Sequence, residues 1–344
     1  MEIDEMKALL KTKEYDFLRT NEHLGKNIIL LTLGGSHAYG TNNKDSDLDI
    51  RGIAINSKRD ILLGHDFNQV DGSNTDTVIY SLRKIVSMLS NCNPNTIEIL
   101  GCKPEHYLHT SVIGKSLLEN RHMFLSQRAI GSFAGYANEQ LRKLENATVR
   151  DIEQKRREEH ILKTIMHAWK TMQEKYQQIP DCSFKLYLDK AVNKDFDEEI
   201  FMDVNNLYHY PLRDYRNLWN EMNNIVKSYN KIGKRNENAL THGKIAKHAM
   251  HLLRLFIMCI DILEKEEIVT YRENEHELLM NIRNGEFLGE DNVPSEEFYE
   301  IVNEYEKKME YAAKHTSLPL RPDQTKIDEW MYWANNLIVS GKNI

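Results

Sequence analysis

The feature that most constrains the fold is an apolar run over residues 27–33 that stops at two adjacent glycines, Gly34 and Gly35. Such a run predicts a buried strand that is ended by a tight turn. Glycine has no Cβ, so the backbone of this turn can approach a ligand closely. Residues 48–55 and 75–80 are rich in β-branched side chains and predict two further strands. The chain is therefore expected to begin with a sheet.

Acidic side chains occupy the predicted strands in a pattern typical of a metal site. Asp47 and Asp49 are two residues apart, so in a strand their side chains would leave the same face, roughly 6 to 7 Å apart. Carboxylates at this spacing suit Mg²⁺, which binds one or two carboxylates together with substrate phosphates. Asp76, near the start of the third strand, is the preferred third carboxylate, while Glu98 in a predicted helix over 95–100 is the alternative. We expect Asp47, Asp49 and Asp76 to bind metal and to be the catalytic residues.

Several neighbouring residues are candidates for nucleotide binding. The backbone at Gly35 and the hydroxyl of Ser36 can donate hydrogen bonds to phosphate oxygens. Arg51 shares the predicted strand face of the aspartates, and either contacts a phosphate or only neutralises the acids. Lys84 follows the third strand, in a predicted helix over 81–91, where it either reaches the nucleotide or faces solvent.

A second set of candidates lies far along the chain. Lys244, Lys247, His251 and Arg254 are spaced by three or four residues, which places them in one stripe on a helix. We assign Lys247, His251 and Arg254 to nucleotide binding, because the stripe could face a triphosphate or RNA phosphates. The alternative is a solvated face that pairs with the acidic segment after it.

The rest of the chain is predicted to be helical, and its class is therefore α+β: a mixed sheet with helices, followed by an α-helical domain. The first 24 residues have the pattern of an amphipathic helix, and a short hairpin is expected near 201–210. We predict a catalytic domain over 1–115 and a helical domain over 116–344. The predicted helices of the second domain are 128–144, 150–178, 212–231, 239–265, 295–313 and 327–339.

Composition narrows the class of protein. The 344 residues are 41% hydrophobic and 28% charged, which is typical of a globular chain. The net charge of −7 argues against a general polyanion-binding surface, and the four cysteines lack the spacing of a zinc site. No segment resembles a signal peptide or a membrane span, so we expect a cytoplasmic protein that does not contact the membrane.

The motifs together resemble those of a known family. A Gly-Ser turn and an Asp-x-Asp strand are typical of the DNA polymerase beta-like nucleotidyltransferase superfamily. The strings Gly-Ser-His-Ala-Tyr-Gly-Thr (35–41) and Ser-Asp-Leu-Asp-Ile-Arg-Gly (46–52) are similar to its RNA-repair-linked RlaP branch. The close match covers about residues 30 to 100, with weaker similarity near 247–254.

This resemblance implies transfer of a nucleoside monophosphate from a nucleoside triphosphate such as ATP, with Mg²⁺ or alternatively Mn²⁺ as cofactor. The expected acceptor is a hydroxyl at an RNA end, from tRNA or another RNA. Two alternatives stay open, namely a toxin-like enzyme that attaches a nucleotide such as AMP to a protein, and a non-catalytic nucleotide sensor. The base, the number of nucleotides added and the oligomeric state do not follow from the sequence.

Overall fold

In a computed structural model, the structure describes residues 3–44, 46–148, 184–190, 198–204, 216, 219, 220, 223, 244–289 and 293–341. The chain divides into two compact units. One consists of Met1–Arg142 with Ala246–Ile344, and the other of Lys143–Ile245. The first unit therefore contains both the N-terminal sheet and the C-terminal helices, while the division into domains at residue 115 stays a prediction.

The first unit contains a five-stranded mixed sheet in the order β3-β4-β2-β1-β5. Its strands are β1 Ile28–Leu33, β2 Ile50–Ala54, β3 Gln69–Asp71, β4 Thr77–Ser81 and β5 Tyr107–Thr110. β1 is antiparallel to β2 and β5, β2 is parallel to β4, and β3 is antiparallel to β4. The three predicted strands correspond to β1, β2 and β4.

Every residue of β1 is buried, as its continuous apolar sequence predicts. The strand lies between β2 and β5, and three of its side chains belong to a core that includes Leu18 and Ile50. They are Ile28, Leu31 and Leu33. A strand with both faces covered holds its two ends in fixed positions. The turn that follows β1 is therefore anchored by the centre of the sheet.

Helices form most of the remaining described part of the first unit. They are α1 Ile3–Leu9, α2 Phe17–Thr20, α3 Gly35–Tyr39, α4 Lys58–Leu63, α5 Leu82–Leu89, α6 Pro94–Ile97, α7 Val112–Glu119, α8 Arg128–Thr148, α9 Lys244–Lys265, α10 His276–Arg283, α11 Glu296–His315 and α12 Gln324–Ser340. The fold class is confirmed, as are the helices predicted over 81–91, 128–144, 295–313 and 327–339. The helix predicted over 239–265 is confirmed from residue 244, and residues 239–243 lie outside the described residues. α8 and α9 each extend slightly beyond the unit boundary.

The single amphipathic helix predicted at the N-terminus is wrong. The segment is broken into α1, a 3₁₀ turn over Lys13–Tyr15, and α2. The Thr12 hydroxyl donates to the Leu9 carbonyl, and the Arg19 guanidinium donates to the Leu10 carbonyl, which satisfies acceptors at the end of α1. These bonds end the helix in the middle of the amphipathic pattern.

The second unit contains an antiparallel hairpin of β6 Phe184–Lys190 and β7 Glu198–Val204. The hairpin expected near 201–210 is therefore displaced toward the N-terminus, and residues 205–210 lie outside the described residues. The helix predicted over 150–178 and most of that over 212–231 also lie outside them. No helix in the described part of the chain has the length and apolar character needed to cross a membrane.

Candidate active site

The candidate active site lies at one edge of the sheet, where three strand ends meet. β1 ends beside the start of β2 because the two are antiparallel, and β4 begins beside β2 because those two are parallel. The residues just outside these strands are Gly34, Asp49 and Asp76. Hydrogen bonds join them: the Gly34 N–H donates to the Asp49 carbonyl at 2.8 Å, and the Ile50 N–H donates to the Asp76 carbonyl at 2.9 Å. Strand register therefore places a glycine turn and two aspartates side by side.

Gly35 lies against the carboxylate of Asp49. Its φ of +54° is in the left-handed region, and a Cβ added there would be 1.9 Å from Oδ2 of Asp49. The neighbouring Gly34 is similarly crowded, since a Cβ there would be only 2.8 Å from Cγ of Arg51. Close approach thus favours glycine at both positions, and the left-handed backbone favours it at Gly35 as well.

The carboxyl groups of Asp49 and Asp76 form a close pair. Burial and a hydrogen bond with Asp76 raise the pKa of Asp49 from 3.8 to about 7, although the charges of Arg51 and Lys247 oppose the increase. Two adjacent carboxylates repel one another, and either a shared proton or a cation relieves this repulsion. The pair is therefore an electrostatically favourable place for a cation.

Arg51 joins the two carboxyl groups. Its NH2 lies 3.2 Å from Oδ1 of Asp49, and its NH1 lies 3.2 Å from Oδ1 of Asp76. NH1 also donates to the Asp76 carbonyl at 2.9 Å. Burial would lower the pKa of Arg51, but the negative charges of Asp49 and Asp76 raise it overall. The guanidinium thus partly neutralises the acidic pair from within the fold.

Asp47 is exposed and precedes β2, which begins at Ile50 rather than at the predicted residue 48. Within the described ranges, no three His, Cys, Asp or Glu side chains are grouped closely enough to hold a metal ion. The donors that do converge, Asp49 and Asp76, are hard carboxylate oxygens. They fit Mg²⁺, which needs only one or two carboxylates when substrate phosphates complete its coordination.

The basic stripe of α9 is divided between surface and interior. Lys247 is exposed, and its charge acts on both Asp49 and His251. Burial lowers the pKa of His251 well below its ordinary value, and Arg254 and Lys247 lower it further. The His251 ring lies edge-on to Tyr39, with centroids 6.1 Å apart. Lys247 and His251 therefore lie close to the candidate site.

Arg254 is buried beneath α3 instead of lying at the surface with Lys247. Its NH1 is 3.2 Å from Oε2 of Glu98, and its guanidinium lies 3.7 Å from the centroid of the Tyr39 ring. The Tyr39 hydroxyl donates to the same Glu98 oxygen at 2.6 Å. Burial raises the pKa of Glu98, while Arg254 and Tyr39 oppose that shift. Glu98, the alternative third carboxylate, is thus held in a buried network that supports α3.

The remaining predicted residues lie in two places. Ser36 is buried in α3, where its carbonyl accepts a hydrogen bond from the Thr41 N–H at 2.9 Å. Lys84 lies on α5, and its Nζ donates to Oε1 of Gln69 on β3 at 2.6 Å. Lys84 is therefore engaged at the β3 edge of the sheet rather than at the carboxyl pair.

Arg283 was missed by sequence reasoning. It is the last residue of α10, and its NH2 donates to the Ser46 hydroxyl at 2.9 Å, one residue before Asp47. A single arginine at the end of a short helix carries no local signal of function. Only the long-range packing of α10 against the loop before β2 reveals it.

Comparison with known families identifies similarity over more than half of the chain. The family model described as RlaP, RNA repair pathway DNA polymerase beta family, matches residues 9–202. The match includes the glycine turn and all three candidate aspartates. It ends before α9 and α10, so Lys247, His251, Arg254 and Arg283 lie outside it.

A curated relative is similar to about a third of the chain. An uncharacterized 38.9 kDa protein from the nrdC-mobD intergenic region of Enterobacteria phage T4 is 29% identical over 122 residues. That alignment covers 32% of this chain and 36% of the phage protein. No solved structure matches the chain.

Proposed function

The chain belongs to the RNA repair pathway DNA polymerase beta family, and on that premise we propose that it is a magnesium-dependent nucleotidyltransferase acting on an RNA end. The observation that carries the proposal is the Asp49–Asp76 pair beside the Gly34–Gly35 turn. The two carboxyl groups form a close, partly buried pair, and the Asp49 carboxylate lies directly against the backbone of Gly35.

In the proposed reaction, a hydroxyl oxygen of the acceptor attacks the α-phosphorus of a nucleoside triphosphate. A new P–O bond forms, the bond to the bridging oxygen breaks, and pyrophosphate leaves with the bond electrons. Asp49 and Asp76 would hold Mg²⁺, the exposed Asp47 in the preceding loop would join them once substrate phosphates are bound, and Asp76 would accept the proton of the acceptor hydroxyl. When bound, the ion supplies charge neutralisation for the phosphates and lowers the pKa of the attacking hydroxyl.

The other residues would position the triphosphate. The backbone at Gly35 and the hydroxyl of Ser36 would donate to phosphate oxygens. Lys247 is exposed and electrostatically coupled to Asp49, so it is well placed to neutralise a phosphate. Arg51 already lies between the carboxyl groups of Asp49 and Asp76. It would give up part of this contact and donate a hydrogen bond to a phosphate of the substrate instead. The buried Arg254 supports α3 from below and would act indirectly.

The acceptor is proposed to be RNA because the family is one of RNA repair. The test uses the full chain, Mg²⁺ and each α-labelled triphosphate, with RNAs ending in a 3′-hydroxyl or a 3′-phosphate. Label should enter RNA that has a free hydroxyl and should be absent from the blocked RNA. A protein extract offered in parallel tests for protein modification, and label found there alone would replace the RNA proposal.

The matched variants are Asp49→Asn and Asp76→Asn, with Asp328→Asn as control because Asp328 is exposed on α12. Each site variant should lose about a hundredfold or more in rate, while the control keeps the wild-type rate. Tight triphosphate binding with no transfer to any acceptor would show that the protein is a nucleotide sensor and would overturn the catalytic proposal.

A further inference from the structure

Arg283 is a half-buried arginine whose hydrogen-bonding capacity is only partly used. Its NH2 donates to the Ser46 hydroxyl at 2.9 Å, while NH1 is buried and has no hydrogen-bond partner. Among the described residues, no carboxylate forms an ion pair with it. Buried charges in proteins are normally paired, so a guanidinium in this state is a site that an anion would stabilise.

Two histidines, His37 and His251, lie within electrostatic reach of Arg283. Burial lowers the pKa of His37 on α3, and the nearby charge of Arg283 lowers it further. The pKa of His251 on α9 is also lowered by burial first, and by the charges of Arg254, Lys247 and Arg283 in addition. The charge of Arg283 on α10 therefore reaches His37 on α3 and His251 on α9, and its guanidinium contacts the loop that carries Asp47.

This region lies at the α3 end of the candidate active site. Along the sheet the strands follow in the order β4, β2, β1, so Asp76, Asp49 and α3 form a row. Arg283 contacts Ser46, in the loop that follows α3, and its charge acts on His37. If the acceptor hydroxyl is activated at Asp76, the β- and γ-phosphates, which leave as pyrophosphate, lie toward the opposite end of this row, at α3.

We propose that Arg283 binds the β- and γ-phosphates of the triphosphate, with its unpartnered NH1 as the donor that the substrate satisfies. The assignment rests on the proposed function, and it makes the C-terminal helices part of the substrate site. Arginine suits this task because its planar guanidinium donates two parallel hydrogen bonds to one phosphate. Its contact with Ser46 also ties phosphate binding to the loop before Asp47.

A purely structural role for Arg283 predicts a different result. Asn43 and Ser46 already hold this loop, since the Asn43 N–H donates to the Ser46 hydroxyl at 2.8 Å and the Ser46 N–H donates to the Asn43 carbonyl at 3.2 Å. If Arg283 only supported the loop, its loss would weaken every nucleotide equally. If Arg283 binds the β- and γ-phosphates, its loss weakens the binding of triphosphate more than that of monophosphate.

The experiment measures the dissociation constants of the nucleoside triphosphate, diphosphate and monophosphate by calorimetry with Mg²⁺, for the wild-type chain and Arg283→Gln. The variant should bind triphosphate about tenfold to a hundredfold more weakly, with little change for monophosphate. Arg283→Lys should keep part of the preference, because it retains the charge but loses the planar fork. Arg59→Gln, at an exposed position on α4, is the matched control and should bind as wild type does.

Chemical modification provides a second readout without a substitution, in case Arg283→Gln does not fold. Triphosphate, but not monophosphate, should protect Arg283 of the wild-type chain from phenylglyoxal, as mapped by mass spectrometry. An unchanged ratio of triphosphate to monophosphate affinity in a folded variant, or equal protection by both nucleotides, would overturn the assignment. Transfer activity of the wild-type chain then decides the proposed function separately.

Discussion

Gly35 is the position where the backbone and the acidic pair depend most directly on each other. Its positive φ disfavours any residue with a Cβ, and the Asp49 carboxylate fills the space that a Cβ would need. We therefore predict that Gly35→Ala displaces Asp49 and abolishes most transfer activity. The left-handed backbone should also cost roughly 1 to 2 kcal/mol of stability.

The matched control for this substitution is Gly64→Ala. Gly64 ends α4 with a φ of +72°, and no atom lies within 4 Å of the position of its missing Cβ. Both variants should lose the stability that the left-handed backbone costs, and Gly35→Ala should lose more because its Cβ also displaces Asp49. Only Gly35→Ala should lose nucleotide transfer. Equal activity in the two variants would mean that the contact between Gly35 and Asp49 is not needed.

The elements around the site show what the sequence could and could not predict. The apolar run, the glycine pair and the β-branched residues of 48–55 predicted β1, the turn and β2, because these signals are local. Whether Asp76 would lie beside Asp49 depended on β2 and β4 being parallel and in register, which no local pattern determines. β3 and β5, at three and four residues, were too short to produce a periodic signal.

The sequence also could not predict that the basic stripe of α9 is divided between the surface and the interior, because this too depends on long-range packing. Helical spacing correctly placed Lys247, His251 and Arg254 on one side of a helix, but spacing alone does not distinguish a solvated side from one that packs against α3. The buried carboxylate that pairs with Arg254 is that of Glu98, which is 156 residues away in the sequence. A pair at that separation can be recognised only after the fold is known.

The buried pair that joins α9 to the segment after α6 should contribute strongly to stability. Arg254→Met leaves Glu98 buried without its counter-charge, so we expect a loss of about 3 to 5 kcal/mol. The double variant Glu98→Gln/Arg254→Met should recover part of this loss, because it removes both charges. Urea unfolding of the two single variants and the double variant measures the coupling.

The control for that cycle is an exposed ion pair, Lys308 with Glu304 on α11, whose Nζ and Oε1 lie 2.6 Å apart. Lys308→Met should change stability by less than about 1 kcal/mol, since solvent screens this pair. Strictly additive effects of Glu98→Gln and Arg254→Met would contradict a coupled buried pair.

At the scale of the whole molecule, the C-terminal helices complete the unit that contains the sheet. Residues 246–344 belong to the same compact unit as residues 1–142, although the family match stops at residue 202. Lys247, His251 and Arg283 come from this later part of the chain. The candidate site therefore depends on packing between segments that are more than 150 residues apart. The sequence motifs over 30–100 contain only one side of this packing.

This packing predicts a specific pH dependence of stability. The pKa of His251 is far below its ordinary value of 6.5 in the folded chain, because burial and nearby positive charges disfavour the imidazolium. When the pH falls below about 6.5, the unfolded chain binds a proton at His251 and the folded chain does not. The folded state therefore loses stability relative to the unfolded state, and the loss continues until the pH reaches the folded pKa.

The variant His251→Asn lacks this titration, so its stability should decline less on acidification than that of the wild-type chain. Between pH 6.5 and pH 5, the difference in unfolding free energy should shift by about 1 to 2 kcal/mol in favour of the variant. Paired urea titrations at several pH values measure this difference, and other titrating groups such as His37 and His106 contribute equally to both chains. Parallel declines would show that His251 is not held neutral by burial and by the nearby charges of Arg254 and Lys247, and would contradict the buried position of its ring against α3.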